Sequence, residues 1–165
     1  MTNIERLANL SSYVNNREIK EKNERERKEL DMQEKLVILD SYKDSIKDIV
    51  DTAKFCFANK INIGQNNTGM NFNPNAKAKN DFMADSWFHF LGIICKHPSY
   101  SVYEPIGVGV REGGANGTTD LIVTENGVES YNSDYSHFNY DYKKFVDNFA
   151  DFETRFYEYL DSLNA

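Results

Sequence analysis

The chain has 165 residues, a formal net charge of −7, two cysteines and 13% aromatic side chains. It is long enough to bury one core, too aromatic for a disordered tail, and too poor in cysteine for a disulfide scaffold, since Cys56 and Cys95 alone frame nothing. No apolar run approaches the ~20 residues of a membrane-spanning helix, and Met1–Leu10 already carries Glu5 and Arg6, unlike a secretory leader, so the expected compartment is the reducing cytosol.

The charge is unevenly placed. Residues 1–60 hold 12 basic and 12 acidic side chains, whereas residues 81–165 hold 5 and 14. A field of that sign repels nucleic acid and membrane phosphates and attracts basic surfaces. Usage leans toward Asn, Lys, Ile, Tyr and Phe, with only six Arg, as in a low-GC bacterium or its phage.

In chain order, Thr2–Val14 comes first. Ile4, Leu7, Leu10 and Val14 share a helical face, and Thr2 or Asn3 caps it with Glu5 in the first turn. Lys20–Glu29 then contains no apolar residue. Glu18–Lys22, Glu21–Arg25 and Glu24–Lys28 are i,i+4 pairs in the favourable order, each contributing ~0.2–0.5 kcal/mol. With nothing to bury, this stretch reads as a solvated helical bridge or a frayed linker. The expected division is a charged helical arm or linker over 1–35 and an α+β globular domain over 36–165.

From Leu36, the residues Leu39, Tyr42, Ile46, Ile49, Ala53 and Cys56 recur three or four apart and predict one amphipathic helix of about six turns. Asn62–Asn80 is a long polar loop, since Gly, Asn and Pro forbid regular structure. Over Asp81–Lys96 the spacing of Met83, Trp87, Leu91 and Ile94 favours a helix, with a buried strand over Trp87–Cys95 as the alternative.

Three strand-like runs follow. The first sets Ile106, Val108 and Val110 on one face and Gly107 and Gly109 on the other. The second contains Leu121, Ile122 and Val123, and the third is Val128–Tyr131. Asn126-Gly127 between the last two signals a type I′ hairpin turn, which requires positive φ at both central residues. Asp141–Leu163 closes the chain as a helix whose buried stripe is Phe145, Phe149, Phe152, Phe156, Leu160 and Leu163. The predicted class is therefore α+β: N-terminal helices, a three-stranded antiparallel β-meander and a C-terminal amphipathic helix packed on the sheet.

Reactive signatures are thin. The loop Gly113-Gly114-Ala115-Asn116-Gly117-Thr118-Thr119 has Thr118 where a phosphate-binding loop needs lysine, so it reads as a hairpin loop. Cys95-x-His97 lacks the paired spacing of a zinc site, and neither a metal nor a cofactor is expected. A small enzyme using Cys95, His97 or His137 is one alternative, although no local signature supplies its base and orienting group.

The acidic, tyrosine-rich back half carries more. Between Asp120 and Tyr142 lie Asp120, Glu125, Glu129, Asp134 and Asp141 with Tyr131, Tyr135, Tyr140 and Tyr142, and no Lys or Arg. Asp120, Glu125, Glu129, Tyr131, Asp134, Tyr135, Asp141 and Asp151 are the expected partner-binding face. Spaced carboxylates imitate nucleic-acid phosphates, and tyrosine supplies rigid contact area. The expected function is non-enzymatic protein binding to a partner with a basic surface, without direct nucleic-acid or membrane contact. By analogy of charge and size, its sharper form is a phage or mobile-element inhibitor that blocks a nucleic-acid-binding host protein. A further alternative is a structural protein whose N-terminal helices self-associate into a homo-oligomer.

Overall fold

The computed structural model describes residues 1–61, 63, 91–99, 102–111 and 119–164, with side chains at 97–99, 102, 103, 111, 119 and 120 left undescribed. The expected loop over Asn62–Asn80 and the Gly113–Thr118 loop lie outside these residues, apart from Ile63. The elements run α1 (Asn3–Asp40), α2 (Lys43–Ala58), β1 (Gly92–Ser99), β2 (Val102–Arg111), β3 (Thr119–Thr124), β4 (Gly127–Tyr131) and α3 (Tyr135–Ser162). The chain divides into two units, Met1–Lys35 and Leu36–Ala165.

The first unit is helix throughout from Asn3. It opens on a reciprocal capping box: Glu5 N donates to Thr2 Oγ1 at 3.1 Å while Thr2 N donates to Glu5 Oε2 at 2.9 Å, satisfying two amides that the helix itself leaves without acceptors. The Ser11-Ser12 and Asn15-Asn16 pairs do not interrupt it. Every residue from 1 to 27 is exposed.

In the second unit the sheet order is β1-β2-β3-β4, antiparallel throughout. The meander thus has four strands rather than the three expected. The added strand is β1, whose Gly92–Lys96 portion occupies ground where a helix was favoured. Gly92 is a poor helix former and Ile93 and Ile94 are β-branched, while a partner with little side-chain bulk lies opposite: Gly92 pairs with Gly109, and Ile94 with Gly107. Pro98 is tolerated because β1 is an edge strand and its pairing is irregular between Lys96 and Ser99. At Gly107 a Cβ would collide with the Val123 carbonyl of β3, so glycine is obligatory there.

Helices α2 and α3 both pack on β2 and β3. Ile46, Ile49, Val50, Ala53 and Cys56 of α2 are buried, as are Ile93, Val108, Val110, Leu121 and Val123 of the sheet and Phe138, Phe145, Phe149, Phe152 and Phe156 of α3. Full burial of each Val, Leu, Ile or Phe among these contributes ~1.5–3 kcal/mol. α3 starts six residues before the expected Asp141, because Asp134 caps it by accepting from His137 N at 2.9 Å. Leu163, expected on the buried stripe, is 48% exposed.

The single six-turn helix expected from Leu36 is instead broken at Ser41-Tyr42. Ser41 N and Tyr42 N donate to the Ile38 and Leu39 carbonyls at 3.1 Å, closing α1 with i→i+3 bonds, and Ile46 N then donates to Tyr42 O at 2.9 Å, opening α2. Tyr42 sits edge-on to Phe145 and Phe149, with ring centroids 5.3 and 4.8 Å away. Burial pushes its phenol above the ordinary tyrosine value.

Asp40, the last residue of α1, reaches across 88 positions: its Oδ1 accepts from Val128 N at 3.0 Å. Gly127 has φ 102, and a Cβ built there would lie 2.5 Å from the same oxygen. Gly127→Ala should therefore cost ~1–3 kcal/mol through backbone strain, plus a clash term. In an Asp40→Ala background the clash share disappears, so urea melts of the four proteins should give a coupling of at least ~0.5 kcal/mol. Strict additivity would mean that the carboxylate and the glycine do not share this space.

Candidate interaction surface

The β3–β4 hairpin positions most of the expected face. Its turn is not the expected type I′. Thr124 pairs with Gly127, which leaves Glu125 and Asn126 as the two-residue loop, and the positive φ falls on Gly127 and not on Asn126. Asn126 N donates to Thr124 Oγ1 at 3.1 Å, and Thr124 Oγ1 lies 3.3 Å from Gly127 O, so the threonine hydroxyl holds the loop from inside. The result places the Glu125 side chain in solvent at the hairpin tip. Glu125 is one of the carboxylates that raise the Lys47 amine, after the direct 2.7 Å bond from Lys47 Nζ to Asp51.

β4 is the opposite edge of the sheet from β1. Its register with β3 shifts between Ile122↔Ser130 and Val123↔Val128, which leaves Glu129 as the unpaired extra residue of a bulge. That bulge turns Glu129 outward, and it is exposed. Tyr131 ends the strand. It is 43% exposed yet packs edge-on against Phe138 at 5.6 Å, so its ring is held in place.

The chain then turns into α3. Asn132 Oδ1 accepts from Asp134 N at 2.8 Å, and the exposed Asp134 both caps the helix and lies 3.9 Å from His137 Nδ1. Tyr135, the first helical residue, is half-buried. Glu125, Glu129, Tyr131, Asp134 and Tyr135 thus follow one another along an edge strand and into a helix start.

Three expected residues do not join them. Asp141 is a correction: it is fully buried, on the same stripe of α3 as Phe138 and Phe145, and so does not belong to the surface. Sequence spacing put it at the start of the helix, whereas the helix is already two turns old there and Asp141 points inward. Asp151 is exposed but lies 17 residues beyond the cap, about 25 Å along a helix, and its carboxylate pairs with Arg155 Nε at 3.1 Å. The Asp120 side chain is outside those described. Sequence reasoning also missed Asp40, for which no local signal exists.

The reactive candidates fare differently. Burial pushes the Cys95 thiol up to about 12, and it raises Cys56 as well, so neither is a thiolate near neutrality. His137 is exposed beside Asp134, and the His97 side chain is not described. Among the described residues, no three His, Cys, Asp or Glu side chains gather into a group able to hold a metal ion, and no helix is long and apolar enough to cross a membrane. No protein-family model matches the sequence, and searches of curated proteins and of solved structures return no match.

At pH 7.5 an aromatic disulfide reagent should titrate no thiol in the native protein over minutes, and two thiols after denaturation. Rapid native labelling of Cys95 would restore it as a candidate nucleophile.

Proposed function

We propose that this protein is a non-enzymatic binding protein whose acidic edge, Glu125–Tyr135, docks on a basic surface of a protein partner. In its sharper form the edge occupies the nucleic-acid channel of that partner, as an inhibitor carried by a phage or mobile element would. The observation that carries this reading is the outward-turned Glu129 beside the ring of Tyr131, fixed by Phe138, on an edge strand within a 23-residue span, 120–142, that has no Lys or Arg. A fixed aromatic ring loses little freedom on contact, and carboxylates around it steer a cationic partner and speed its approach. Burial keeps the Cys95 thiol protonated near neutrality, which counts against the alternative of an enzyme with Cys95 as nucleophile.

Lysate proteins of the host, held on DNA-cellulose, provide the test. Adding the full chain at ~100 mM salt should release a discrete protein, and retention of that protein on the immobilised chain should fade by ~500 mM as exposed charges are screened. Glu125→Lys/Glu129→Lys should slow association several-fold at low salt, and Tyr131→Ala should speed dissociation. Retention indifferent to salt and to both variants would remove the acidic edge from the contact.

A further inference from the structure

In the first four turns of α1 an apolar face stands in water. Ile4, Leu7 and Leu10 are 81%, 63% and 54% exposed, and Val14 beside them is 38% exposed. With Ser11 they recur three or four apart and so share one side of the helix. An open groove runs along this side, lined by Leu7, Leu10, Ser11, Val14, Asn15 and Glu18. The charges of the first turns lie beside the face and are already engaged. Glu5 closes the capping box with Thr2, Arg6 Nη1 donates to Asn3 Oδ1 at 3.3 Å, and the Arg17 guanidinium sits 5.9 Å from the centre of the Tyr13 ring. Ala8, on the flank opposite Leu10, leaves room for a second helix to come close. Single apolar residues on a surface are ordinary, whereas a contiguous stripe of them marks a contact.

We infer that this face binds the same face of a second copy of the chain, antiparallel, about a two-fold axis near Asn9. Ile4 then meets Val14 of the second copy, Leu7 meets Ser11, and Leu10 meets its own copy across the axis. The two-fold makes each off-axis contact twice. Ile4 and Leu7 of the second copy fall into the groove beside Val14 and Ser11. Glu18, at the far end of the groove, comes beside the start of the second copy's α1, where the helix dipole favours a negative charge. A parallel pair in register sets Glu18 against Glu18 and Glu21 against Glu21 as soon as the apolar residues end. Sliding the antiparallel pair by one heptad sets Leu7 against Glu18 in one direction and leaves Val14 uncovered in the other. The register about Asn9 is the one that covers all four apolar residues and sets no like charges face to face. The contact ends near Glu18, inside the stretch 1–27 that is exposed throughout and short of Lys28, where α1 first becomes half-buried. It spans about four turns, ~22 Å of helix, so it is small, apolar and reversible. This inference concerns the arm and is independent of the acidic edge.

Sedimentation equilibrium of the full chain tests it. The wild-type protein should dimerise at roughly 100 μM and keep that strength at ~500 mM salt, since apolar burial is not screened. Leu7→Gln/Leu10→Gln keeps a good helix former at both positions and should weaken dimerisation at least ~10-fold, with the far-UV circular dichroism unchanged. A short bismaleimide then reads the direction of pairing. Leu10→Cys should couple to itself. Val14→Cys should not, because its two copies lie about ten residues, ~15 Å, apart along the helix, yet it should couple to Ile4→Cys in an equimolar mixture. The wild-type chain, whose Cys56 and Cys95 thiols are raised by burial, is the control. A wild-type chain that stays monomeric to ~500 μM, a Gln variant as strong as the wild type, or Val14→Cys coupling to itself as readily as Leu10→Cys overturns the inference.

Discussion

Five phenylalanines on one stripe of α3 have to be kept from water, and the rest of the second unit is arranged around that requirement. Phe138, Phe145, Phe149, Phe152 and Phe156 span five turns of a helix ~10 Å across, about twice the ~4.8 Å between strands, so the helix lies over more than one strand and against a neighbouring helix. β2 and β3 supply Val108, Val110, Leu121 and Val123, and Tyr42, at the start of α2, closes over Phe145 and Phe149. The glycines of β2 matter at the next remove. Gly107 lets the Val123 backbone come close, and the pairing of β1 with β2 runs over the same positions. The expected three-strand sheet would have left this edge of β2 open.

Against that core, the contact between Asp40 and Val128 is small in energy but decisive in position. The carboxylate belongs to the last residue of α1, and the amide it accepts from is the second residue of β4. It ties the helix break to the hairpin, and it requires a residue without a Cβ at 127. The hairpin that presents Glu125 and Glu129 is therefore held from outside as well as by its own ladder. An interaction surface built on a strand edge gains from such a tether, because less conformational freedom is left to lose on contact.

The parts of this fold legible in the sequence were those with a period. The α3 stripe and the second and third strand runs could be read because burial repeats every three to four residues or every two. What stayed hidden had non-local causes. The break at Ser41-Tyr42 carries no Gly or Pro, and the apolar spacing runs through it undisturbed. β1 has a helix-compatible spacing of Leu91 and Ile94 and became a strand through the glycines opposite it. The hairpin was found by its Asn-Gly signal, yet the positive φ sits one residue along from the expected pair, at Gly127 alone. Asp141 looked like one more surface carboxylate because composition cannot tell the inside of a helix from its outside. Once the helix start moved back to Tyr135, its place beside Phe138 and Phe145 on the buried stripe followed from the period itself.

The carboxylates of the back half also separate by whether local structure already employs them. Asp134 caps α3, Asp151 holds Arg155, Glu125 shares the field of Lys47, and Asp141 is interior. Each would be expected in a protein that bound nothing. Glu129 has a local use too, since a charged, bulged residue on an edge strand deters pairing with another sheet. Tyr131 does not fit that purpose. A large ring left 43% exposed at the end of an edge strand invites contact, and its packing on Phe138 fixes the ring without hiding it. The case for a docking surface over a merely soluble one therefore rests less on the number of acids than on this one aromatic, set among carboxylates that keep all but cationic partners away.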